Sequence, residues 1–110
     1  MYHGSRSGSL GFFPAICFTE SAEAAQSYGP HLHCREIDYS RLHIMRVAMT
    51  DEEFREAVDS QEWPCDRQRD IDAAIAAGYD AVAYTDCDER GQSHDCIRIL
   101  TAEAFALAVE

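Results

Sequence analysis

The sequence contains no lysine, so its nine basic residues are all arginine. Twenty aspartates and glutamates outnumber them and give the chain a formal net charge of −11. A surface this acidic repels phosphate backbones, which argues against a nucleic-acid substrate held by charge neutralisation unless a local arginine patch overrides the sum. We therefore expect the partner to be a protein or a small molecule.

The cysteines follow no spacing that would indicate a shared site. There are five, an odd number, and no C-x-x-C pair occurs among them. The sequence predicts neither a disulfide framework nor a zinc site, and the expected compartment is a reducing cytoplasm. The segment HLHC places His31 and His33 on one face of a strand. No further ligand follows at a metal-binding spacing, so no metal is predicted.

Long apolar runs are missing as well. No run approaches the length of a bilayer, and the start of the chain has no apolar signal core, so we expect neither a membrane span nor a secretory leader. A chain of 110 residues with 46% hydrophobic residues can bury roughly two-thirds of its unfolded surface. We expect a single globular domain over residues 1–110.

Short strand-like runs alternate with helical patterns along the chain. Helix signals are an N-cap at Thr19 or Ser21 with Gly29 past the end, and a capping box at TDEE that opens a helix to about Ser60. A further helix is predicted from about residue 66 to 77, and residues 101–110 fit a strand or a short helix. Strands are predicted at residues 1–4, 15–18, 31–38, 42–49, 80–86 and 94–100. The predicted fold class is α+β.

Three segments place polar residues at the edges of these apolar runs. They are YHGS with His3 and Gly4, CFTESAEAAQSYG with Tyr28, and HDCIRIL with Asp95. A glycine beside an imidazole indicates a ligand contact, because glycine lets another group approach the backbone closely. In this order the segments resemble the diphtheria-toxin-like (His-Tyr-Glu/Asp) class of ADP-ribosyltransferases. AAGYDAVAYTD looks like the Gly-Tyr-Asp strand often found upstream of the third segment.

The resemblance implies an ADP-ribosyltransferase-like fold, in which two small antiparallel sheets flanked by short helices form an NAD cleft. It implies NAD as co-substrate and transfer of ADP-ribose to a side chain of a host protein in the bacterial cytoplasm. Small phage and mobile-element enzymes of this class include an anti-CRISPR, so a subunit of a CRISPR effector complex is one expected acceptor. Catalytic roles are implied for His3, Tyr28 and Asp95. The implied cofactor contacts are His3, Gly4, Arg6, Thr19, Tyr28 and Asp95.

The chemistry of the residues agrees with this resemblance. Breaking the bond between nicotinamide and ribose develops positive charge on the ribose, which a carboxylate such as Asp95 would stabilise. Tyr28 would stack on the cationic ring, the backbone of Gly4 would bind the carboxamide, and His3 would bind a ribose hydroxyl. The family commonly has glutamate where this chain has Asp95, which is one methylene shorter.

Three alternatives remain open at the level of sequence. Asp86, Asp88 and Glu89 compete with Asp95 for the carboxylate role, and the turn at residues 86–94 is expected to select the acceptor. A catalytically silent protein whose acidic surface imitates nucleic acid would fit the charge equally well. An RNA 2′-phosphotransferase of the same superfamily would need clustered basic residues, whereas the arginines here are scattered.

Overall fold

The computed structural model of the protein describes residues 1–87 and 93–110. The described strands are Tyr2–Ser5 (β1), Ile16–Thr19 (β2), His31–Cys34 (β3), Ile44–Arg46 (β4), Ala81–Cys87 (β5) and Ser93–Ile99 (β6). The described helices are Ala22–Gln26 (α1), Asp51–Ser60 (α2), Gln68–Ala76 (α3) and Ala102–Ala108 (α4), and Tyr39–Arg41 forms one turn of 3₁₀ helix. The predicted α+β class is therefore confirmed.

The described strands form one six-stranded sheet in the order β3-β1-β2-β6-β5-β4. Every neighbouring pair is antiparallel except β4 and β5, which run parallel. The expectation of two antiparallel sheets is wrong in this respect, because Tyr2 and Thr19 still pair across β1 and β2 and join the strands into one sheet.

The join between β1 and β2 is narrow. Their ladder consists of the single pair Tyr2–Thr19, whereas the β1–β3 and β2–β6 ladders each contain four pairs. Beyond Tyr2 and Thr19 the two strands diverge. We call the space between them the wedge, and the candidate site lies there.

Local capping explains where the helices begin. The Ser21 side chain accepts a hydrogen bond from the backbone of Ala24 at the start of α1, and Thr50 and Glu53 form the predicted capping box of α2. The Thr101 side chain accepts a hydrogen bond from the backbone of Ala104 at the start of α4, so the C-terminal segment is a helix and not a strand. The N-cap residue of α3, Arg67, makes no capping hydrogen bond through its side chain, and this helix begins at Gln68, two residues later than predicted.

Alternate side chains along the strands pack into two apolar clusters. Ile16, Phe18, Ile97 and Ile99 are fully or almost fully buried, and Phe105 of α4 packs against the cluster that they form. The second cluster lies around Val82, Tyr84 and Leu100, with Ile71 of α3 and Cys65. Among residues 1–87 and 93–110, no helix is long and apolar enough to cross a membrane.

Candidate functional site

A cavity of about 310 Å³ lies at the wedge, at the small end of the range for ligand pockets. His3, Gly4, Thr19 and Tyr28 all line it, although they come from β1, β2 and the end of the α1 segment. Four of the six predicted cofactor contacts are therefore brought together around one cavity.

The backbone of Gly4 faces this wedge. Met1 and Arg35 exchange backbone hydrogen bonds of 3.0 and 2.9 Å. Bonded pairs alternate along an antiparallel ladder, so His3–His33 is the next bonded pair, and the N–H and C=O of Gly4 point away from β3. They point to the side on which the β1–β2 ladder has already ended. Gly4 therefore presents one backbone hydrogen-bond donor and one backbone acceptor to the wedge.

The structure explains the glycine at position 4 by helix packing, whereas the sequence analysis expected a ligand contact. A Cβ added there would lie 1.7 Å from the carbonyl oxygen of Ala25, so the lack of a side chain lets α1 pack directly on β1. Gly29 plays the same part, since its Cβ would lie 2.4 Å from the carbonyl carbon of Ser5. The glycines bring α1 and Tyr28 close to β1, and the ligand contact predicted for Gly4 would come from its peptide groups.

His3 reaches across the wedge. Its Nδ1 lies 2.9 Å from the carbonyl oxygen of Cys17 in β2. A carbonyl only accepts, so Nδ1 carries the proton, and in the neutral ring Nε2 is the acceptor. The ring also packs near Phe13 and Phe18, with centroids 5.8 and 5.6 Å away. His3 therefore has a fixed orientation and presents a hydrogen-bond acceptor at Nε2.

Tyr28 and Thr19 differ in exposure. Tyr28 is 66% exposed at the cavity, so one large aromatic side chain stands open to solvent there. Thr19 is buried, and its hydroxyl accepts a hydrogen bond of 3.2 Å from the backbone of Ser21, just before α1. Tyr28 presents an exposed ring at the cavity, while Thr19 has a structural role in placing α1.

The Asp95 side chain lies on the face of β6 that points away from the cavity. Its neighbours His94 and Cys96 line the cavity, and successive side chains of a strand point to opposite faces. The structure therefore does not bring the carboxylate of Asp95 to His3 and Tyr28.

The carboxylate of Asp95 lines a second concavity with Tyr39 and Arg46. Its Oδ1 accepts a hydrogen bond of 3.1 Å from the Thr85 hydroxyl, and its backbone N–H donates to Glu20 at 3.0 Å. Burial raises the pKa of Tyr39, Arg46 opposes the rise, and the carboxylates of Asp95 and Glu20 add to it. This second concavity carries charges of both signs.

Two further predictions concern positively charged and metal-binding residues. Arg6 is exposed and does not belong to the described lining of the cavity. His33 is buried, with its Nε2 at 3.2 Å from the Ser7 carbonyl oxygen. No group of three or more His, Cys, Asp or Glu residues suited to a metal occurs in the described part of the chain.

Two basic side chains that were not predicted as site residues, His94 and Arg98, are among the other residues that line the cavity. His94 is buried, and the Arg98 side chain is 17% exposed. A signal for Arg98 was present, since a lone arginine between Ile97 and Ile99 shares a strand face with Cys96. The tip of the predicted acceptor-selecting turn, residues 88–92, lies outside the described residues.

In comparisons with known proteins, no family model, no curated protein and no solved structure matches this chain.

Proposed function

We propose that the protein is an NAD-dependent mono-ADP-ribosyltransferase that modifies a side chain of a host protein. The observation that carries the proposal is the wedge, where the peptide groups of Gly4, the imidazole of His3 and the exposed ring of Tyr28 meet at one cavity. The acceptor is a host protein, and a subunit of a CRISPR effector complex is a candidate.

Nicotinamide fits the groups around Gly4. A primary carboxamide has an N–H₂ donor and a C=O acceptor, which pair with the backbone C=O and N–H of one residue. In the proposed complex Gly4 makes both bonds, and Tyr28 stacks on the cationic ring. His3 accepts a hydrogen bond from a ribose hydroxyl at Nε2, since Nδ1 already donates to Cys17.

The reaction breaks the bond between nicotinamide nitrogen and ribose C1′, and the electron pair leaves with neutral nicotinamide. The acceptor nucleophile forms the new bond to C1′ and gives up its proton. Positive charge builds on the ribose between these events, so the proposal requires a carboxylate near C1′. The resemblance assigns this role to Asp95, but the Asp95 side chain lies on the face of β6 away from the cavity. Asp86, Asp88 and Glu89, on the same hairpin, are therefore the competing candidates.

The experiment is a thermal-shift titration with NAD, followed by chromatographic measurement of released nicotinamide. We expect NAD to raise the melting temperature, because it binds only the folded state. Tyr28→Ala should remove the shift and Tyr28→Phe should keep it, since stacking of a base on an aromatic ring is worth about 1–3 kcal/mol. A wild-type protein that neither binds NAD nor releases nicotinamide would exclude the proposed function.

Four carboxamide variants, D95N, D86N, D88N and E89Q, identify the carboxylate. Loss of the true stabilising group should lower nicotinamide release by about 10²–10³-fold and leave much of the NAD affinity, because the group acts mainly in the transition state. If D95N retains the rate and one of the other three variants loses it, the resemblance has assigned the wrong carboxylate and the reaction class stands. If all four retain it, the proposed mechanism is wrong.

A second candidate function rests on the charge. A protein with a net charge of −11 and no lysine can occupy a basic nucleic-acid channel without any chemistry. Such an inhibitor would act in NAD-free buffer.

A further inference from the structure

Arg98 gives this cavity a positive charge without an acidic residue in its described lining, although the molecule as a whole is strongly acidic. The chain has 20 acidic residues, yet none of the twelve described residues that line the cavity is an aspartate or a glutamate. Arg98 is the one permanently charged residue among those twelve. The two other described concavities each have carboxylates in their lining.

Three contacts hold the guanidinium in place. Nε donates to the Tyr84 hydroxyl at 3.0 Å, and one terminal nitrogen donates to the Ala15 carbonyl oxygen at 3.3 Å. The other terminal nitrogen pairs with the Asp66 carboxylate, whose second oxygen accepts from the backbone N–H of Trp63. These bonds use one N–H on each of three nitrogens, and a guanidinium has five N–H groups.

The backbone around both fixed partners is unusual. Ala15, whose carbonyl binds Arg98, has φ 63°, and Cys65, next to Asp66, has φ 59°. Non-glycine residues adopt this left-handed conformation at a cost, and such residues cluster at ligand sites, where the surrounding structure enforces them. One such residue binds the guanidinium and the other adjoins its carboxylate partner, so the backbone that holds Arg98 is itself constrained.

We propose that Arg98 binds the diphosphate of a nucleoside diphosphate ligand in this cavity. The inference rests on the proposed function, in which NAD is that ligand. In the β2–β6 ladder Arg98 lies opposite Cys17, two residues from the join at Thr19 and towards the open side of the wedge. Gly4 and Arg98 line the same cavity, so a dinucleotide anchored at Gly4 would have this guanidinium within the same binding space. A protein of net charge −11 needs such a local cation to hold two phosphates.

The test compares ADP-ribose with adenosine by isothermal titration calorimetry, because the pair shares a nucleoside and differs in the diphosphate. Arg98→Met should weaken ADP-ribose binding about tenfold or more, as expected for a charge-assisted hydrogen bond, and leave adenosine binding unchanged. Arg69→Met is the matched control, since the Arg69 side chain is 77% exposed and does not line the cavity. Circular dichroism and a thermal melt establish that each variant is folded.

Asp66→Asn should change the ADP-ribose affinity in the opposite direction to Arg98→Met. Removing this carboxylate leaves the guanidinium without its counter-charge, so ADP-ribose should bind several-fold more tightly even as the melting temperature falls. Asp70→Asn, in an exposed pair, is the control and should change neither. A purely structural ion pair would give weaker binding, or no change, for both Arg98→Met and Asp66→Asn. The Asp66→Asn arm keeps the test decisive if Arg98→Met does not fold.

Unchanged ADP-ribose affinity in folded Arg98→Met, or unchanged or weaker affinity in Asp66→Asn, overturns the diphosphate site. Nicotinamide and inorganic pyrophosphate separate this result from the proposed function. Nicotinamide binding without any contribution from Arg98 would keep the NAD cavity and remove the diphosphate site. Arg98-dependent pyrophosphate binding without nicotinamide binding or NAD cleavage would keep the anion site and remove the transferase.

Discussion

Gly4 shows how one residue can serve both packing and ligand binding. Gly4→Ala places a Cβ at 1.7 Å from the Ala25 carbonyl oxygen, a backbone atom that can move only with α1. We expect the free energy of unfolding to fall by about 1–3 kcal/mol, the usual cost of overpacking, and urea unfolding measures it. NAD stabilisation should fall as well, because Tyr28 follows α1.

Gly11→Ala is the matched control for this substitution. Apart from its two chain neighbours, none of the described residues has a heavy atom within 4 Å of a Cβ added at Gly11. The alanine should therefore be neutral or stabilise the protein by up to about 1 kcal/mol, through a less flexible unfolded chain. Equal stability of Gly4→Ala and Gly11→Ala would contradict the close packing of α1 on β1.

Tyr84 gives a pH dependence with a definite sign. Burial raises the pKa of Tyr84 far above its usual range. Near pH 10 the unfolded chain therefore releases the phenol proton of this tyrosine, while the folded protein keeps it. Its contribution to stability is complete below about pH 10 and is lost as the pH rises further, by up to about 1.4 kcal/mol per pH unit. Urea unfolding at several alkaline pH values should show a shallower loss for Tyr84→Phe. Identical slopes for the two proteins would contradict a buried, protonated Tyr84.

At the scale of elements, the loss of two threonine caps should differ in its effect on global stability. Thr50 caps α2, which buries only Ala57 among its ten residues, whereas Thr101 caps α4, which buries Ala104 and Ala108. Removing either cap costs its helix about 1 kcal/mol. We expect Thr101→Ala to lower the global free energy of unfolding by that amount. Thr50→Ala should mainly speed hydrogen exchange in α2, because a helix with little buried surface opens locally. Equal losses of global stability would show that α2 unfolds with the core.

These caps also explain which elements the sequence could predict. Ser21 and Thr50 mark helix starts through contacts with residues three positions away, so local sequence was sufficient. The strand predicted over residues 31–38 ends at Cys34, and Ile37 forms only an isolated bridge with Val109. Val109 is distant in sequence, and no local pattern specifies such a partner.

At the scale of the molecule, the cavity was predictable in part. The family resemblance predicts that His3, Gly4 and Tyr28 share a site, and all three line the cavity. That resemblance does not specify which face of β6 each side chain takes. Strand alternation alone puts Asp95 and Arg98 on opposite faces, so both could not line the same side. Which face meets the wedge depends on the pairing of Thr19 with Cys96, a tertiary fact that the sequence does not carry.

The net charge of the whole molecule allows the last prediction, which separates catalysis from imitation of nucleic acid. The assay measures DNA binding by a CRISPR effector complex mixed with the protein, with and without NAD. A transferase should inhibit only with NAD, should leave the mass of one ADP-ribose on a subunit, and should keep that modification after transfer to high salt.

An acidic mimic would behave differently in each respect. Its inhibition would need no NAD, would add no mass and would weaken with salt, since the Debye length falls from about 10 Å at 0.1 M to about 3 Å at 1 M. Tyr28→Ala sharpens the comparison, because it removes one aromatic ring and leaves the charge of −11 unchanged. We expect this variant to lose inhibition, as a transferase without its stacking residue would. Full inhibition by Tyr28→Ala in NAD-free buffer would instead assign the activity to the acidic surface.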